Sequence, residues 1–449
     1  MPNAPSSEHD RARRHAVEIV RTLRDHGHTA YLAGGCVRDE LLGLTPTDYD
    51  VATDAEPGVI TALFARTSEV GAAFGVVLVH HGPGRVTEVA TFRKDFEYGD
   101  KRRPDRVEFT DAEHDAQRRD FTINALFLDP LESDESKQVI DHVGGVEDLS
   151  HRVVRAVGDP NARLNEDHLR ALRAVRFACR LGFELDPATA AAIRMHAADL
   201  TGVSRERIGD EMRKMLIHPS RVAAAGWLQA LGLDAPTLDE PTSKLPPVVL
   251  AGLPEAASFP LALAAWAIDR HGEGAACSVP RWRAAMCLSN DERDAVERIL
   301  AMLDELRGPW FVAPVAGQKR AAAAAGFAEA QVLLGIIEPM TANRVSARID
   351  ELRGVGMGLW PEPFLDGEVL IELGMDPGPS FARILNGVYD AQLDGRVMDR
   401  AAAERLAREL SVAPGVESVA HPLAQGIGRT VVGVLESADP RLLMEAIQQ

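Results

Sequence analysis

Hydrophobic residues recur at helical spacing near the start of the chain and then gather in short runs typical of strands. Between Arg11 and Asp25 apolar side chains lie three or four positions apart, which predicts an amphipathic helix ended by Gly27. Short apolar runs predict strands at residues 29–35, 48–53, 75–81 and 85–92, with helices at residues 37–43 and 57–66. This order predicts a small α/β module with a mixed sheet.

The pattern changes near Asn161, after which helical spacing dominates and strand-like alternation becomes rare. A proline-rich stretch at residues 235–260 and a second at residues 360–367 interrupt the helices. We therefore predict an α+β fold class in which a mixed α/β head precedes all-α modules. The predicted domains are a catalytic head at residues 1–157, a helical neck at 158–220, a helical body at 221–360 and a helical tail at 361–449.

Composition narrows the class of protein. The 449 residues are 46% hydrophobic and 26% charged, which is ordinary for a folded soluble chain, and no apolar run approaches the ~18 residues that span a bilayer. We expect a cytoplasmic protein without a membrane partner. The four cysteines form no CxxC pair, and the fourteen histidines show no spacing typical of metal ligands.

The net charge of −18 would repel nucleic acid on average. Any contact with RNA must therefore use local basic strips, and arginine and lysine do cluster between Lys101 and Arg106 and again between Arg163 and Arg180.

The sequence Asp48-Tyr49-Asp50 is the first candidate for chemistry. Side chains two apart on a strand point to the same face, so the two carboxylates converge, and Glu88 on a neighbouring strand could supply a third. Hard oxygen ligands of this kind suit Mg²⁺, and two such ions could activate a hydroxyl and stabilise leaving pyrophosphate. Taken alone, so short a motif is also typical of a solvated loop.

Two glycines, Gly34 and Gly35, stand directly before a predicted helix that contains Arg38. Backbone N–H groups exposed at such a turn can bind the phosphates of a nucleotide, and Arg38 would add positive charge. A double glycine is more often only a turn. The short spacing to Asp48 favours the phosphate-binding interpretation.

These residues lie in the sequence LAGGCVRDELLGLTPTDYDVAT, which resembles the signature of the DNA polymerase β-like nucleotidyltransferases. More specifically, it is similar to the class II tRNA nucleotidyltransferase and bacterial poly(A) polymerase family. The similarity continues through EVATFRKD, RRDFTINAL and GDPNARLNEDHLRALRAVRFACRLGF, and returns in the tail at LDGEVLIELGMDPGPSFARILNGVYD. The resemblance implies that Asp48 and Asp50 bind metal, with Glu88 as a third catalytic carboxylate.

The resemblance also implies which residues bind the nucleotide. Asp167 and Arg170 belong to the family's nucleotide-selecting motif, and helical spacing would place them on one face, where they could match the donor and acceptor order shared by cytosine and adenine. An ordinary surface ion pair is the alternative. By resemblance Arg119 contacts the nucleotide, with Asp120 orienting it, and Arg173 and Arg176 hold the nucleotide or its phosphates.

The resemblance implies template-independent addition of C and A to the 3′ end of tRNA, from CTP and ATP, with Mg²⁺ and release of pyrophosphate. DNA is not expected as a partner. Poly(A) polymerase activity, or addition of only C or only A, remains open because these enzymes share the same motifs. A non-enzymatic RNA-binding protein is a more distant alternative, as is transfer to a small molecule. Residues 236–360 and the final segment, residues 411–449, resemble nothing in the family.

Overall fold

The computed structural model describes residues 8–69, 75–82, 85–96 and 106–412. Residues 83–84 between two predicted strands, most of the basic cluster at residues 101–106 and nearly all of the final segment at residues 411–449 lie outside these ranges. Within the described ranges the chain forms two compact units. The first reaches Phe311 and includes Ala324–Val345, and the second consists of Val312–Ala323 and the chain from Ser346. The predicted domain boundaries stay predictions.

Strands are concentrated in the first part of the first unit. They are β1 Ala30–Ala33, β2 Asp50–Thr53, β3 Thr67–Glu69, β4 Val76–Gly82, β5 Arg85–Thr91, β6 Arg93–Phe96, β7 Arg106–Phe109, β8 Phe127–Leu128, β9 Val139–Ile140, β10 Val153–Val154 and β11 Glu184–Leu185. Helices lie between them: α1 Glu8–Asp25, α2 Gly35–Leu41, α3 Pro57–Leu63, α4 Ala112–Arg118, α5 Glu135–Gln138 and α6 Gly145–His151.

The main sheet has the strand order β3-β4-β5-β2-β1-β8-β9. Only β2 and β5 pair in parallel among its described strands, and the other neighbours are antiparallel. The prediction of a mixed sheet is therefore confirmed. The centre of this sheet brings the end of β1, the start of β2 and the middle of β5 side by side, and all three carry candidate residues.

Helix α1 covers this sheet with one apolar face. Ala16, Ile19, Val20 and Leu23 follow helical spacing and are at most 3% exposed. Their burial accounts for the periodic pattern in the sequence, because each side chain of this face leaves water when the helix packs.

From Pro160 the described chain is almost entirely helical, which confirms the predicted change of pattern. The helices are α7 Pro160–Glu166, α8 Arg170–Leu181, α9 Pro187–His196, α10 Arg205–Leu216, α11 Arg221–Ala230, α12 Asp234–Leu238, α13 Val248–Ala251, α14 Phe259–His271, α15 Ala275–Met286, α16 Asn290–Arg307, α17 Pro309–Val312, α18 Val315–Ala323, α19 Phe327–Ile337, α20 Pro339–Arg353, α21 Gly367–Glu372, α22 Ser380–Leu393 and α23 Arg400–Val412. The proline-rich stretch at residues 235–260 holds only short helical pieces.

The second unit has its own small core. Leu370, Ile384 and Val388 are at most 2% exposed and pack with apolar residues of α23. Lys319 is buried beside this core, and its ammonium donates hydrogen bonds to the carbonyls of Val355, Gly358 and Leu393 at 2.7 to 2.8 Å. Three acceptors match the three donors of the ammonium, so the buried charge is fully hydrogen-bonded.

Two sequence expectations need correction in the fold. The strand predicted at residues 48–53 begins at Asp50, so Asp48 lies in the segment before it. Asp167 and Arg170 do not share a helix, because α7 ends at Glu166 and α8 begins at Arg170.

No single helix among the described residues is long and apolar enough to cross a membrane, although α18 and α19 together meet that test by length and composition.

Candidate active site

The turn between β1 and α2 requires glycine at Gly34. Its φ is +75°, and a Cβ there would lie 3.0 Å from Nη1 of Arg119 and 3.6 Å from the carbonyl oxygen of Asn124. Positive φ is a conformation that side chains with a Cβ rarely adopt. The N–H of Gly34 also donates to the carbonyl of Leu126, so the double glycine is held against the RRDFTINAL segment, residues 118–126.

Gly35 is the first residue of α2, and α2 begins without a side-chain cap. A Cβ at Gly35 would meet only Nη2 of Arg38, at 3.8 Å. Sterics therefore do not demand glycine at this position. The uncapped N–H groups of the first turn are the feature that could serve an anion.

The three predicted carboxylates lie at the centre of the main sheet. Val51 pairs with Val89 across the parallel strands β2 and β5, and both valines are completely buried. The preceding residues, Asp50 and Glu88, therefore occupy the opposite face of the sheet. Asp48 is exposed and Tyr49 is buried, so Asp48 turns to the same side as Asp50. We call Asp48, Asp50 and Glu88 the carboxylate cluster.

Electrostatics show that these three groups act on one another. Burial, followed by the charges of Glu88 and Asp48, raises the pKa of Asp50 to about 7, while Arg119 acts in the opposite sense. Partial desolvation and the charge of Asp48 likewise raise the pKa of Glu88. Three neighbouring negative charges are costly together without a cation. Their oxygen donors are of the kind that Mg²⁺ prefers, but the three carboxylates do not all lie within 4.8 Å of one another. The structure therefore brings Asp48, Asp50 and Glu88 near one another without closing a three-ligand metal site.

Arg119 is positioned beside the carboxylate cluster by its own partners. Its Nε and Nη2 donate to Oδ2 of Asp115 at 3.0 and 2.9 Å, and Nη1 donates to the carbonyl of Asn124 at 3.1 Å. The guanidinium also lies over the ring of Phe127. Burial opposes the ionisation of Asp115, but Arg119 and Arg118 outweigh it and hold the pKa of that carboxyl below its ordinary value. Asp115 therefore orients Arg119, a role that the sequence had assigned to Asp120.

Arg38 lies underneath the glycine turn rather than on its surface. The residue is 3% exposed, and its guanidinium donates to Oδ1 of Asp39 at 2.8 Å and to Oδ1 of Asn124 at 2.6 Å. The expected position beside a phosphate is therefore replaced by a buried one. From there Arg38 connects α2 to Asn124 in the RRDFTINAL segment.

Asp120 lies in a network of opposite charges with α8. Its Oδ2 accepts from Nε and Nη2 of Arg173 at 2.8 and 2.6 Å. Arg176 donates through Nε to Oε2 of Glu211 at 2.5 Å, and Arg173 lies 3.8 Å from the other oxygen of the same carboxylate. We call Asp120, Arg173, Arg176 and Glu211 the arginine network. Burial opposes ionisation of Asp120, yet Arg173 lowers its pKa to about 2.

Asp167 and Arg170 meet through a turn instead of a shared helix face. The N–H of Arg170 donates to the carbonyl of Asp167 at 3.1 Å. The two side chains have different partners, since both carboxylate oxygens of Asp167 accept from Arg207 at 3.1 and 2.6 Å. Arg170 donates to Oε2 of Glu166 at 2.6 Å. The alternative of a simple Asp167–Arg170 ion pair is therefore wrong.

Sequence reasoning missed the residues that orient the predicted ones. Asp115 and Asn124 hold Arg119, Glu211 holds Arg176, and Arg207 holds Asp167. Asp115 could have been suspected because it lies three positions before Arg118, the last residue of α4, and four positions before Arg119, which follows that helix. Glu211 and Arg207 gave no such signal, since their partners lie 35 and 40 positions away.

Two known protein families match parts of this chain. The family described as "Poly A polymerase head domain" matches residues 30–155. The family described as "Probable RNA and SrmB- binding site of polymerase A" matches residues 182–240.

Curated relatives match over most of the chain. A CCA-adding enzyme of Geobacillus thermodenitrificans is 36% identical over 397 residues, which cover 85% of this chain and 93% of that protein. A CCA-adding enzyme of Limosilactobacillus fermentum is 35% identical over 396 residues, covering 84% and 92%. Among solved structures, the Bacillus stearothermophilus CCA-adding enzyme in complex with CTP superposes with a TM-score of 0.69 at 28% identity, covering 90% of this chain and 98% of that one.

Proposed function

The chain belongs to the CCA-adding enzyme family of tRNA nucleotidyltransferases, and from this premise we propose a role for each candidate residue in its reaction. The enzyme adds C and A nucleotides to the 3′ end of tRNA from CTP and ATP, without a nucleic-acid template. The leaving group is pyrophosphate. The expectations drawn from the resemblance for family, fold and activity are thus confirmed.

The carboxylate cluster carries the catalytic part of the proposal. The family implies a divalent metal, and we assign Mg²⁺ to Asp48 and Asp50, with Glu88 as the third catalytic carboxylate. Bound there, the metal would lower the pKa of the attacking 3′-hydroxyl and neutralise charge on the triphosphate. The supporting observation is that Asp50 and Glu88 share one face of the sheet, where burial, Glu88 and Asp48 raise the pKa of Asp50 to about 7 although Arg119 opposes the shift.

Arginines hold the nucleotide. Arg119 stands next to the carboxylate cluster, and Arg173 and Arg176 lie three positions apart on α8. Each is oriented by a carboxylate, so the guanidinium is fixed before the triphosphate arrives and loses little freedom on binding. The side chain of Arg173 is 32% exposed and can reach a ligand. The first turn of α2 at Gly35 adds backbone donors, and Arg38 supports that turn from below.

Asp167 and Arg170 select the base. A carboxylate accepts from the exocyclic amino group, and a guanidinium donates to the adjacent ring nitrogen, which is the order presented by cytosine and adenine. Uracil and guanine present the reverse, so they would leave buried polar groups unpaired. Arg207 fixes both oxygens of Asp167 but leaves lone pairs on each oxygen for a base.

The remaining assignments follow the predicted domains. We propose that the head at residues 1–157 performs catalysis, the neck at 158–220 selects the nucleotide, and the body at 221–360 and tail at 361–449 bind tRNA. With a net charge of −18, the tRNA contacts should be local and sensitive to salt. A cytoplasmic location fits this substrate.

The test is incubation of the purified full chain with Mg²⁺, with labelled nucleotides singly and mixed, and with tRNAs ending before CCA, after C and after CC. Ordered addition that stops at CCA, and that Asp48→Ala abolishes, supports the proposal. The matched control is Asp54→Ala, since Asp54 lies just after the same strand and binds Thr29 and His28 instead. Unlimited adenylation would mean a poly(A) polymerase, and addition of only C or only A a partial enzyme. Activity that survives in Asp48→Ala would contradict the assigned metal site.

A further inference from the structure

Two histidines and one carboxylate converge at the junction of α7, α8 and α9, away from every residue assigned to the carboxylate cluster. His168 lies in the turn before α8, His196 is the last residue of α9, and Asp199 lies in the 3-10 helix Ala197–Gly202. One ligand atom from each lies within 4.8 Å of the other two. Among the described residues, no other group of three histidine, cysteine or acidic side chains meets this condition.

The geometry of this trio suits a single ion. The rings of His168 and His196 face each other with centroids 6.1 Å apart and planes 30° apart. Nδ1 of His196 lies 2.9 Å from Oδ2 of Asp199. Ligand atoms on a tetrahedral zinc ion with bonds of about 2.0 to 2.1 Å lie roughly 3.3 Å apart. The ligand atoms of the trio lie at most 4.8 Å apart. Side-chain movements of at most about 1.5 Å would therefore bring the most distant pair to the spacing that zinc requires.

Burial is graded in a way that fits an ion entering from solvent. His168 is 2% exposed, the side chain of His196 is 14% exposed, and that of Asp199 is 47% exposed. A buried imidazole supplies a fixed ligand, while the carboxylate at the rim supplies charge and an entry path. The fourth tetrahedral position would fall to water.

The donor set identifies the class of metal. Two imidazole nitrogens with one carboxylate suit Zn²⁺ and its neighbours Co²⁺ and Ni²⁺, whereas Mg²⁺ prefers six oxygen ligands. The carboxylate cluster in the head offers oxygen alone. We therefore expect the carboxylate cluster to prefer Mg²⁺ and the trio of His168, His196 and Asp199 to prefer transition-metal ions.

We propose that His168, His196 and Asp199 form a binding site for Zn²⁺ or a similar transition-metal ion. The site ties the turn before α8 to the end of α9. Because His168 directly follows Asp167 and stands two positions before Arg170, an ion held there would fix the turn that carries both. This link to nucleotide choice rests on the proposed function, whereas metal binding itself does not.

The test is a titration of the metal-free full-length protein with Co²⁺ in excess Mg²⁺, followed by visible absorption, with Zn²⁺ then added as competitor. Mg²⁺ occupies oxygen sites, and tetrahedral Co²⁺ with nitrogen ligands absorbs strongly. We expect one equivalent of Co²⁺, displaced by one of Zn²⁺. His196→Asn and Asp199→Asn should each weaken binding at least about 10-fold, the lower end of what even supporting residues of metal sites contribute. Zn²⁺ should raise the melting temperature of the wild type but not of His196→Asn.

His114→Asn is the matched control. His114 pairs with Asp111 in the same three-residue spacing, with Nδ1 and Oδ1 2.8 Å apart, but belongs to no group of three ligands. Its binding of Co²⁺ should equal that of the wild type. Absence of the Co²⁺ absorption, or unchanged affinity in His196→Asn, would overturn the proposed site and leave the CCA-adding assignment intact. His168→Asn is not needed for this decision, so a folding defect in that buried variant would not obscure it.

Discussion

The carboxylate cluster and the arginine network belong to the same candidate active site but are in opposite electrostatic states. In the carboxylate cluster, like charges meet, and the pKa of Asp50 rises to about 7. In the arginine network, Asp120 is matched by Arg173, and its pKa falls to about 2. The first arrangement costs free energy until a cation arrives, whereas the second is complete within the protein.

The difference separates two ways of preparing a catalytic site. A group that must bind metal is kept unpaired and repelled, so the free energy of metal binding includes relief of that repulsion. A group that must orient a ligand is paired in advance, so its geometry does not depend on the ligand. In this candidate site the two opposite pKa shifts fit two different tasks, metal binding at Asp50 and orientation of an arginine at Asp120.

The largest test of this contrast is Asp50→Asn. Removing this proposed metal ligand should lower kcat by about 10³-fold, or about 4 kcal/mol of transition-state stabilisation. The same change should stabilise the metal-free protein at pH 8. Because the pKa of Asp50 is raised from its ordinary value to about 7, the folded state loses stability as pH rises from about 4 to about 7, and the full cost is present at pH 8. A neutral side chain removes that cost. Single-turnover kinetics and urea unfolding in a chelator measure the two effects.

Asp54→Asn provides the comparison for Asp50. Asp54 is partly exposed and accepts hydrogen bonds at the other end of the strand, so its kcat should stay close to that of the wild type. A stabilised Asp50→Asn with normal kcat would mean that the cluster is repulsive for some reason other than metal binding.

Gly34→Ala asks whether the head depends on backbone shape rather than on ion pairs. The positive φ and the 3.0 Å approach of Arg119 should together cost about 2 to 3 kcal/mol of folding free energy, and displacement of Arg119 should raise KM for the nucleotide. Gly43→Ala is the control, because φ is +68° there but nothing lies within 4 Å of a Cβ. Equal KM values in the two variants would show that the contact with Arg119 does not matter.

The sequence predicted helices, strands and turns well where the information is local. Helix α1, the glycine turn and the pair of aspartates are visible because their residues lie within a few positions of one another. The glycine turn also shows the limit of prediction from local sequence. Arg38 is buried against Asn124, a residue 86 positions away, and local spacing gives no sign of that contact. Local spacing likewise suggested one helix through Asp167 and Arg170, while the chain turns between them.

The two histidines of the proposed transition-metal site show the same limit of local sequence information. His168 and His196 lie 28 positions apart and show no metal-ligand spacing in the sequence. They come together only because α8 and α9 are joined through the short strand β11, which pairs with β10. A spacing rule detects ligands on one element, and these ligands are on different elements.

Asp120→Asn tests the arginine network, in which the carboxylate is already paired within the protein. The variant should be less stable than the wild type by about 2 kcal/mol at pH 7, because it loses a charge-assisted pair with Arg173 that is largely buried. The depressed pKa means that this contribution is fully present above about pH 4 and is lost as pH falls through about 2. The difference between the two proteins in urea unfolding should therefore be constant from pH 7 to 5 and narrow by pH 3.

Asp134→Asn serves as the control for Asp120→Asn. Its pKa is also lowered, chiefly by Ser136, but the group is fully exposed at the start of α5, and its replacement should change stability far less. A wild-type advantage over Asp120→Asn that persists undiminished at pH 3 would show that lost packing, not lost charge, causes the effect.

The smallest expected effect is that of Arg207→Lys, which tests whether orientation by a paired charge extends to Asp167, the proposed base-selecting carboxylate. Arg207 holds both oxygens of Asp167 at 3.1 and 2.6 Å, and lysine cannot reproduce that two-point contact. Discrimination between CTP and UTP, measured as the ratio of kcat/KM values, should fall about 5-fold, or about 1 kcal/mol. Arg205→Lys is the control, since Arg205 lies on the same helix but donates only to the carbonyl of Pro236. If both variants discriminate CTP from UTP equally well, pairing with Arg207 does not matter for Asp167, and orientation by a paired charge is limited to the arginine network. If discrimination falls in Arg207→Lys alone, Asp167 is also oriented by its paired charge.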